Sequence, residues 1–214
     1  MSGSTPSQMQ MTPASVVVVA QQFVKAYPVT MVITKKVFSL ENGEFNVTDI
    51  NGNLIFSVER YFFSTAARHV LNDASGIPLV TLRRKIFSAH RRWQVFKGDS
   101  TDSKDLIFSV KKSSQFQFKT NLDVFLASNT DENVPDFLVK REFRDASCTV
   151  YLGNSSAVLA QMQKQRSLKN LLLHKYTYGV TVSPGVDSAF IAALILALHE
   201  ITKVHNAQSN AAAA

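Results

Sequence analysis

Ala189-Phe190-Ile191-Ala192-Ala193-Leu194-Ile195-Leu196-Ala197-Leu198 is the longest uninterrupted apolar run in this 214-residue chain. Pro184-Gly185 marks a turn before it, and Asp187 or Ser188 supplies an N-cap, so the run reads as a helix from about Asp187 to Lys203. A helix on the surface of a globular domain keeps a polar face, and this one has none. As a helix, ten residues rise about 15 Å, roughly half of a bilayer's hydrocarbon core, and His199-Glu200 then closes the run. The helix is therefore expected to be buried inside the protein and not to cross a membrane.

What surrounds it reads as strands. From Gln115 to Leu126, the residues Phe116, Phe118, Thr120, Leu122, Val124 and Leu126 share one parity while Gln115, Gln117, Lys119, Asn121 and Asp123 share the other. Period-two alternation of this kind belongs to a half-buried strand. Leu-Ile-Phe-Ser-Val occurs twice, at 54–58 and 106–110, as two further strands of one type. Asn42-Gly43, Asn51-Gly52, Ser75-Gly76, Lys97-Gly98 and Gly153-Asn154 separate the runs at the short intervals of a hairpin meander. Strands are expected near 29–40, 44–50, 53–60, 68–73, 77–85, 91–98, 105–112, 115–126, 136–143, 147–153, 156–165 and 176–183.

About a dozen antiparallel strands and one helix without a polar face have a joint solution. A closed barrel of that many strands is too wide to be filled by its own side chains. The helix fills it, and closure removes the exposed strand edges. The expected fold is mainly β, a closed antiparallel barrel of about twelve strands around a central hydrophobic C-terminal helix. Residues 1–26 read as a disordered or loosely attached segment, 27–205 as the barrel domain and 206–214 as a disordered tail.

Composition agrees with a folded domain: 45% of residues are hydrophobic, and Phe, at 15, is the commonest aromatic. Cys148 is the single cysteine, which excludes an intramolecular disulfide and fits a reducing compartment. It reads as a small apolar strand residue. The run Val16–Ala20 has no basic residue before it and is too short for a signal peptide's apolar region. A cytoplasmic protein is expected, with peripheral contact at the plasma membrane and a nuclear pool as further locations. The net charge of +7 favours anionic partners. Two stretches concentrate it: Arg83 to Lys104, with Arg84 and Lys97 among its cations, and Ala146 to Val186, with Lys164, Arg166, Lys169 and Lys175 and no acidic residue.

Several ordered motifs carry a family resemblance. They are Thr48-Asp49-Ile50-Asn51-Gly52-Asn53-Leu54-Ile55-Phe56-Ser57-Val58, Leu79-Val80-Thr81-Leu82-Arg83, His90-Arg91-Arg92-Trp93-Gln94-Val95-Phe96-Lys97-Gly98 and Val186-Asp187-Ser188-Ala189-Phe190-Ile191-Ala192. Together, over about Tyr27 to Val204, the chain resembles the plant LURP-one-related family. That family is similar to the tubby C-terminal domain and the phospholipid scramblases. The resemblance implies a twelve-stranded barrel around a hydrophobic helix, and a part in plant defence.

Templates for catalysis fail. The chain has no G-x-S-x-G, no phosphate-cradling G-x-G-x-x-G or Walker loop and no C-x-x-C. His199-Glu200 begins like a zincin motif, but Lys203 stands where the second histidine belongs. Asp49-Ile50-Asn51-Gly52-Asn53 begins like an EF-hand, with its glycine two positions early and Arg60 in place of the bidentate Glu, and reads as a hairpin turn. No enzyme activity, cofactor or metal is expected.

The remaining signal is charge. Arg83, Lys85, Arg91, Arg92 and Lys97 are the candidate contacts to lipid phosphates, because clustered guanidinium and ammonium groups hold phosphate by charge-assisted hydrogen bonds. Tubby-like barrels bind phosphoinositides through basic surfaces, but the choice of these residues rests on local charge, and the same charges also suit a solvated face. Trp93 shares its parity with Val95 and reads as a core anchor, with an interfacial membrane position as the alternative. Tyr61-Phe62-Phe63 reads as packing under a barrel mouth, with a membrane-dipping loop as the alternative.

The leading expectation is a non-enzymatic module recognising anionic phosphoinositide surfaces in defence or stress signalling, with unidentified signalling proteins as partners. A protein-interaction scaffold or membrane-tethered, transcription-linked regulator without lipid specificity is the alternative. Scrambling of phospholipids ranks third, since it needs a membrane-inserted helix. No helix-turn-helix or zinc finger is present, so sequence-specific nucleic-acid binding is not expected.

Overall fold

A computed structural model describes residues 15–35, 43–61, 68–85, 92–113, 121–142, 147–164 and 177–212. Twelve strands follow one another: β1 (Val29–Lys35), β2 (Gly43–Thr48), β3 (Leu54–Tyr61), β4 (Arg68–Asp73), β5 (Pro78–Arg84), β6 (Trp93–Lys97), β7 (Leu106–Lys112), β8 (Leu122–Leu126), β9 (Phe137–Glu142), β10 (Ser147–Leu152), β11 (Val158–Lys164) and β12 (Thr177–Val182). Each pairs with its chain neighbour, and β12 pairs with β1, closing the barrel with every ladder antiparallel. Among the described residues one α-helix, α1 (Ser188–Ala212), follows. The twelve expected strands are all present. The part of the eighth at 115–120 lies outside the described residues.

The alternation that predicts the strands is the alternation that fills the barrel. Val95, Phe108, Val110, Leu122, Val124, Val139, Val150 and Val180 point inward and are buried. From Ala189 to Leu198, α1 is buried on every side, so the helix without a polar face is the core of the sheet that encircles it. Phe190 sits edge-on to Phe108 at 5.2 Å and against Phe137 at 4.7 Å between ring centroids. Trp93 is inward-facing and 3% exposed, which makes it the core anchor. No helix among the described residues is long and apolar enough to cross a membrane.

Because the sheet is a meander, its loops divide between two ends. Loops after even-numbered strands gather where α1 enters the barrel, and loops after odd-numbered strands gather where it leaves. At the entry end, two hairpins are built alike. Asp49 accepts backbone hydrogen bonds from Asn51 (2.8 Å) and Asn53 (2.9 Å), and Asp73 does so from Ser75 (2.8 Å) and Ile77 (2.9 Å). Each turn closes on a glycine with positive φ, 88° at Gly52 and 82° at Gly76. The Asp49 motif is thus a hairpin turn.

Two parts of the chain differ from the sequence expectation. Residues 15–26, the described part of the segment 1–26 expected to be disordered or loosely attached, are tied to the start of α1. Asp187 is fully buried; one carboxylate oxygen caps the helix by accepting from Ala189 (3.0 Å) and Phe190 (3.1 Å). Its other oxygen accepts from the consecutive amides of Val18 (3.2 Å), Val19 (2.7 Å) and Ala20 (3.0 Å). Val16 bridges Val186, Ser188 donates to the Phe23 carbonyl (3.1 Å), and Val16, Val18, Val19 and Phe23 pack on the core. At the other terminus α1 continues to Ala212, past the expected stop near Lys203 and into the stretch 206–214 expected to be disordered.

Candidate functional site

The basic stretch runs from the end of β5 through β6 to the loop that follows it, and its cations have different environments. Arg83 points outward and lies over the Phe96 ring, 5.4 Å from the centroid. Arg92 makes a two-pronged pair with Glu132 and donates to the Ser109 hydroxyl at 3.2 Å. Lys85 is exposed and donates its backbone N–H to the Arg92 carbonyl at 2.8 Å. Lys97 is also exposed, but at the entry end, a strand length away: five residues from Arg92 span roughly 17 Å. Arg91 lies outside the described residues, as do Phe62, Phe63, Arg166, Lys169 and Lys175. Arg83, Lys85 and Arg92 therefore share an end of the barrel, and Lys97 does not.

Two entry-end loops fold back over the outer wall and explain which arginines are engaged. Residues 98–105 bring Asp99 to Arg68 (3.1 Å) and the Gly98 carbonyl to the Thr81 hydroxyl (2.7 Å). The loop between β8 and β9 brings Glu132 to Arg92 and to Lys111 (3.2 Å), and Lys111 also lies over Phe125 at 4.4 Å. These pairings account for outward-facing residues being buried: Thr81, Phe96, Ser109 and Phe125 are at most 5% exposed. Arg92 and Lys111 pull the Glu132 carboxyl down from its ordinary value to about 2, with hydrogen bonding from Arg92 the largest cause.

Elsewhere the exit rim carries cations that the sequence reading does not single out as phosphate contacts. Arg84 is exposed beside Lys85, Lys35 ends β1, Lys112 ends β7, and Lys203 is exposed on α1. The hairpins at the entry end are instead rich in acids: Asp49, Asp73, Asp102, Asp105, Asp131 and Asp136. Among the described residues the barrel is thus polarised along its axis, which a stretch-by-stretch count of charge does not reveal.

Arg141 is the other residue missed. It shares the parity of Phe137 and Val139, both buried, so its side chain starts from the inner face of β9. That parity was available in the sequence. Next to it in the ladder, Cys148 is buried and its thiol is pushed up to about 12 by desolvation, with the Arg141 charge opposing. A thiol so held has almost no thiolate near neutral pH. Among the described residues, no group of three or more metal-ligating side chains converges.

A closed barrel of twelve antiparallel strands with its C-terminal helix as core defines a tubby C-terminal-like domain. The LURP-one-related family pattern matches residues 29–199, and the chain belongs to that family. It is 46% identical over 201 residues to Protein LURP-one-related 15 of Arabidopsis thaliana, covering 94% of this chain and 93% of that protein. Protein LURP1 of the same species is 40% identical over 187 residues, covering 87% and 90%. The X-ray structure of an Arabidopsis thaliana protein, 39% identical, matches with a TM-score of 0.67 over 87% of this chain and 98% of that one.

Proposed function

We propose that this domain is a non-enzymatic binding module that meets anionic phosphoinositide membranes with its exit end, in the defence or stress signalling that the family resemblance implies. The observation that carries the reading is the axial polarity. Exposed Arg84 and Lys85, with Lys35, Lys112 and Lys203, mark one end, and the acidic hairpins mark the other. Each Lys or Arg near an anionic leaflet contributes about 1 kcal/mol, and acids at the far end oppose the inverted orientation. Vesicle sedimentation at physiological salt tests this. Recovery should rise with phosphoinositide at matched total charge, fall on reversing Arg84 and Lys85 to Glu, and stay put on reversing Lys97 and Lys104 at the entry end. Equal recovery on neutral vesicles sinks the reading.

A second reading, a scaffold for proteins, has its own support. Every large apolar side chain that is exposed among the described residues lies at the entry end, including Tyr27 (63%), Ile50 (73%), Ile77 (60%) and Val134 (57%). Apolar tips among acids suit a partner with apolar and basic groups and are unsuited to an anionic membrane. Proximity labelling in cells with Ile50→Lys/Ile77→Lys checks it. The reading requires partners to be lost with unchanged vesicle recovery, and an unaltered partner set counts against it.

A further inference from the structure

Between α1 and the wall of β1–β4, β9, β11 and β12 there is a cavity of about 60 Å³, which reaches the exit end. Its lining is mostly apolar, with Ile33, Phe45, Met162, Ala192 and Ile195 contributing, and His199 and Thr202 of α1 add polar groups toward the exit end. Ala192 is part of the reason for the space: at this position α1 turns a methyl group, not a branched chain, toward the wall. Arg141, half-buried at the border of this space, is its cationic member. It has no ion pair with any carboxylate among the described residues, whereas Arg68, Arg92 and Lys111 each have one.

A guanidinium at the lip of an apolar cavity is costly to desolvate without an anion, and its fork geometry matches a carboxylate. At roughly 12 Å³ per water-sized probe, the space holds about five such groups. That suits a short hydrocarbon body, and is too little for the two acyl chains of a membrane lipid.

We propose that this cavity binds a small monocarboxylic acid, its apolar body against Ala192 and Ile195 of α1 and its carboxylate paired with Arg141. The site is separate from the exit-rim surface assigned above to membranes. It would make the barrel a receptor for a soluble amphipathic acid as well as a membrane-binding module.

Hexanoate and its neutral counterpart hexanol, titrated calorimetrically, provide the test. Hexanoate should bind at least about tenfold more tightly than hexanol, the contribution of one charge-assisted hydrogen-bonded pair. Arg141→Gln should erase that preference while leaving hexanol binding in place, and Arg141→Lys should keep part of it. Ala192→Leu should fill the cavity and abolish binding of both, with Ala192→Val as the milder filling if the leucine variant does not fold. Circular dichroism and melting temperature establish that each variant is folded. Equal affinity for acid and alcohol, a preference that survives Arg141→Gln, or no binding to the folded wild type each overturns the proposal. Vesicle recovery of the folded Ala192 variant should equal that of the wild type, so failure at the cavity and failure at the rim are read separately.

Discussion

Replacing Asp187 with Ala removes one carboxylate and leaves five backbone N–H groups without their acceptor: Val18, Val19, Ala20, Ala189 and Phe190. Loss of the helix cap costs about 1 kcal/mol. The three bonds from the N-terminal segment go to a charged acceptor, and about 1 kcal/mol each is a moderate value for partly buried donors of this kind. The sum, about 4 kcal/mol, is a large fraction of a domain's total stability and corresponds to a drop in melting temperature of about 8–16 °C at this chain length. Urea unfolding followed by circular dichroism measures it directly. Native-state hydrogen exchange adds position, since the amides of Val18–Ala20 should lose protection before the strands do. Repeating the substitution in a chain lacking residues 1–24 separates the two roles. There the cost should shrink to the cap alone, about 1 kcal/mol. A full-length Asp187→Ala protein within about 1 kcal/mol of wild type, or the same cost in both backgrounds, would show that Asp187 does not clamp the segment.

Leu194, 1% exposed in the middle of the buried run of α1, should cost about 3–5 kcal/mol when cut to Ala, and Ile191→Asn more because it also buries an amide; chemical denaturation checks both, and unchanged stability would place the helix outside the barrel. Glu132 is held as a carboxylate well below its ordinary value, so its contribution is complete above pH ~4.5 and drains away as pH falls toward about 2. With the side chain 23% exposed and partly screened, the contribution is about 1–2 kcal/mol, and Glu132→Gln should flatten that acid limb of stability against pH. Cys148, 2% exposed with its thiol pushed up to about 12, should resist a thiol-specific aromatic disulfide reagent in the native state and react at a rate set by unfolding; fast labelling of folded protein contradicts this.

The strands and the helix were legible because each depends on a local pattern. Period two in Phe56–Val58 or Leu122–Leu126 names the inner face, and the unbroken run Ala189–Leu198 names the helix that has to be surrounded. Contacts made across the chain were not legible. The Asp187 carboxylate and the Val19 amide are 168 residues apart, and nothing near either announces the other. Arg92 looked available in its own stretch, yet its partner Glu132 is 40 residues on, in a loop that folds back over the wall. Adjacent apolar pairs such as Val95-Phe96 and Val124-Phe125 were the trace of that folding back, since alternation alone places their second members in solvent. Of the phosphate-contact candidates, Arg83 and Lys85 stay at the cation-rich rim. Lys97 separates from them because hairpin topology, and not proximity in sequence, assigns residues to an end.

The innermost element of this fold comes after all of the strands that enclose it. Eleven of the twelve ladders join chain neighbours and can form as the chain emerges, but the ladder of β1 with β12 waits for Thr177–Val182, and filling of the interior for Ser188 onward. Until then the ribosome-bound chain holds an open sheet with its apolar face toward water and two strand edges unpaired, the state in which aggregation competes with folding. Nascent chains stalled before Ser188 should therefore be protease-sensitive and bound by chaperones, and those with α1 clear of the exit tunnel resistant. A premature stop just before Ser188 would be as damaging as one in the middle of the sheet, because α1 is the segment on which the barrel closes.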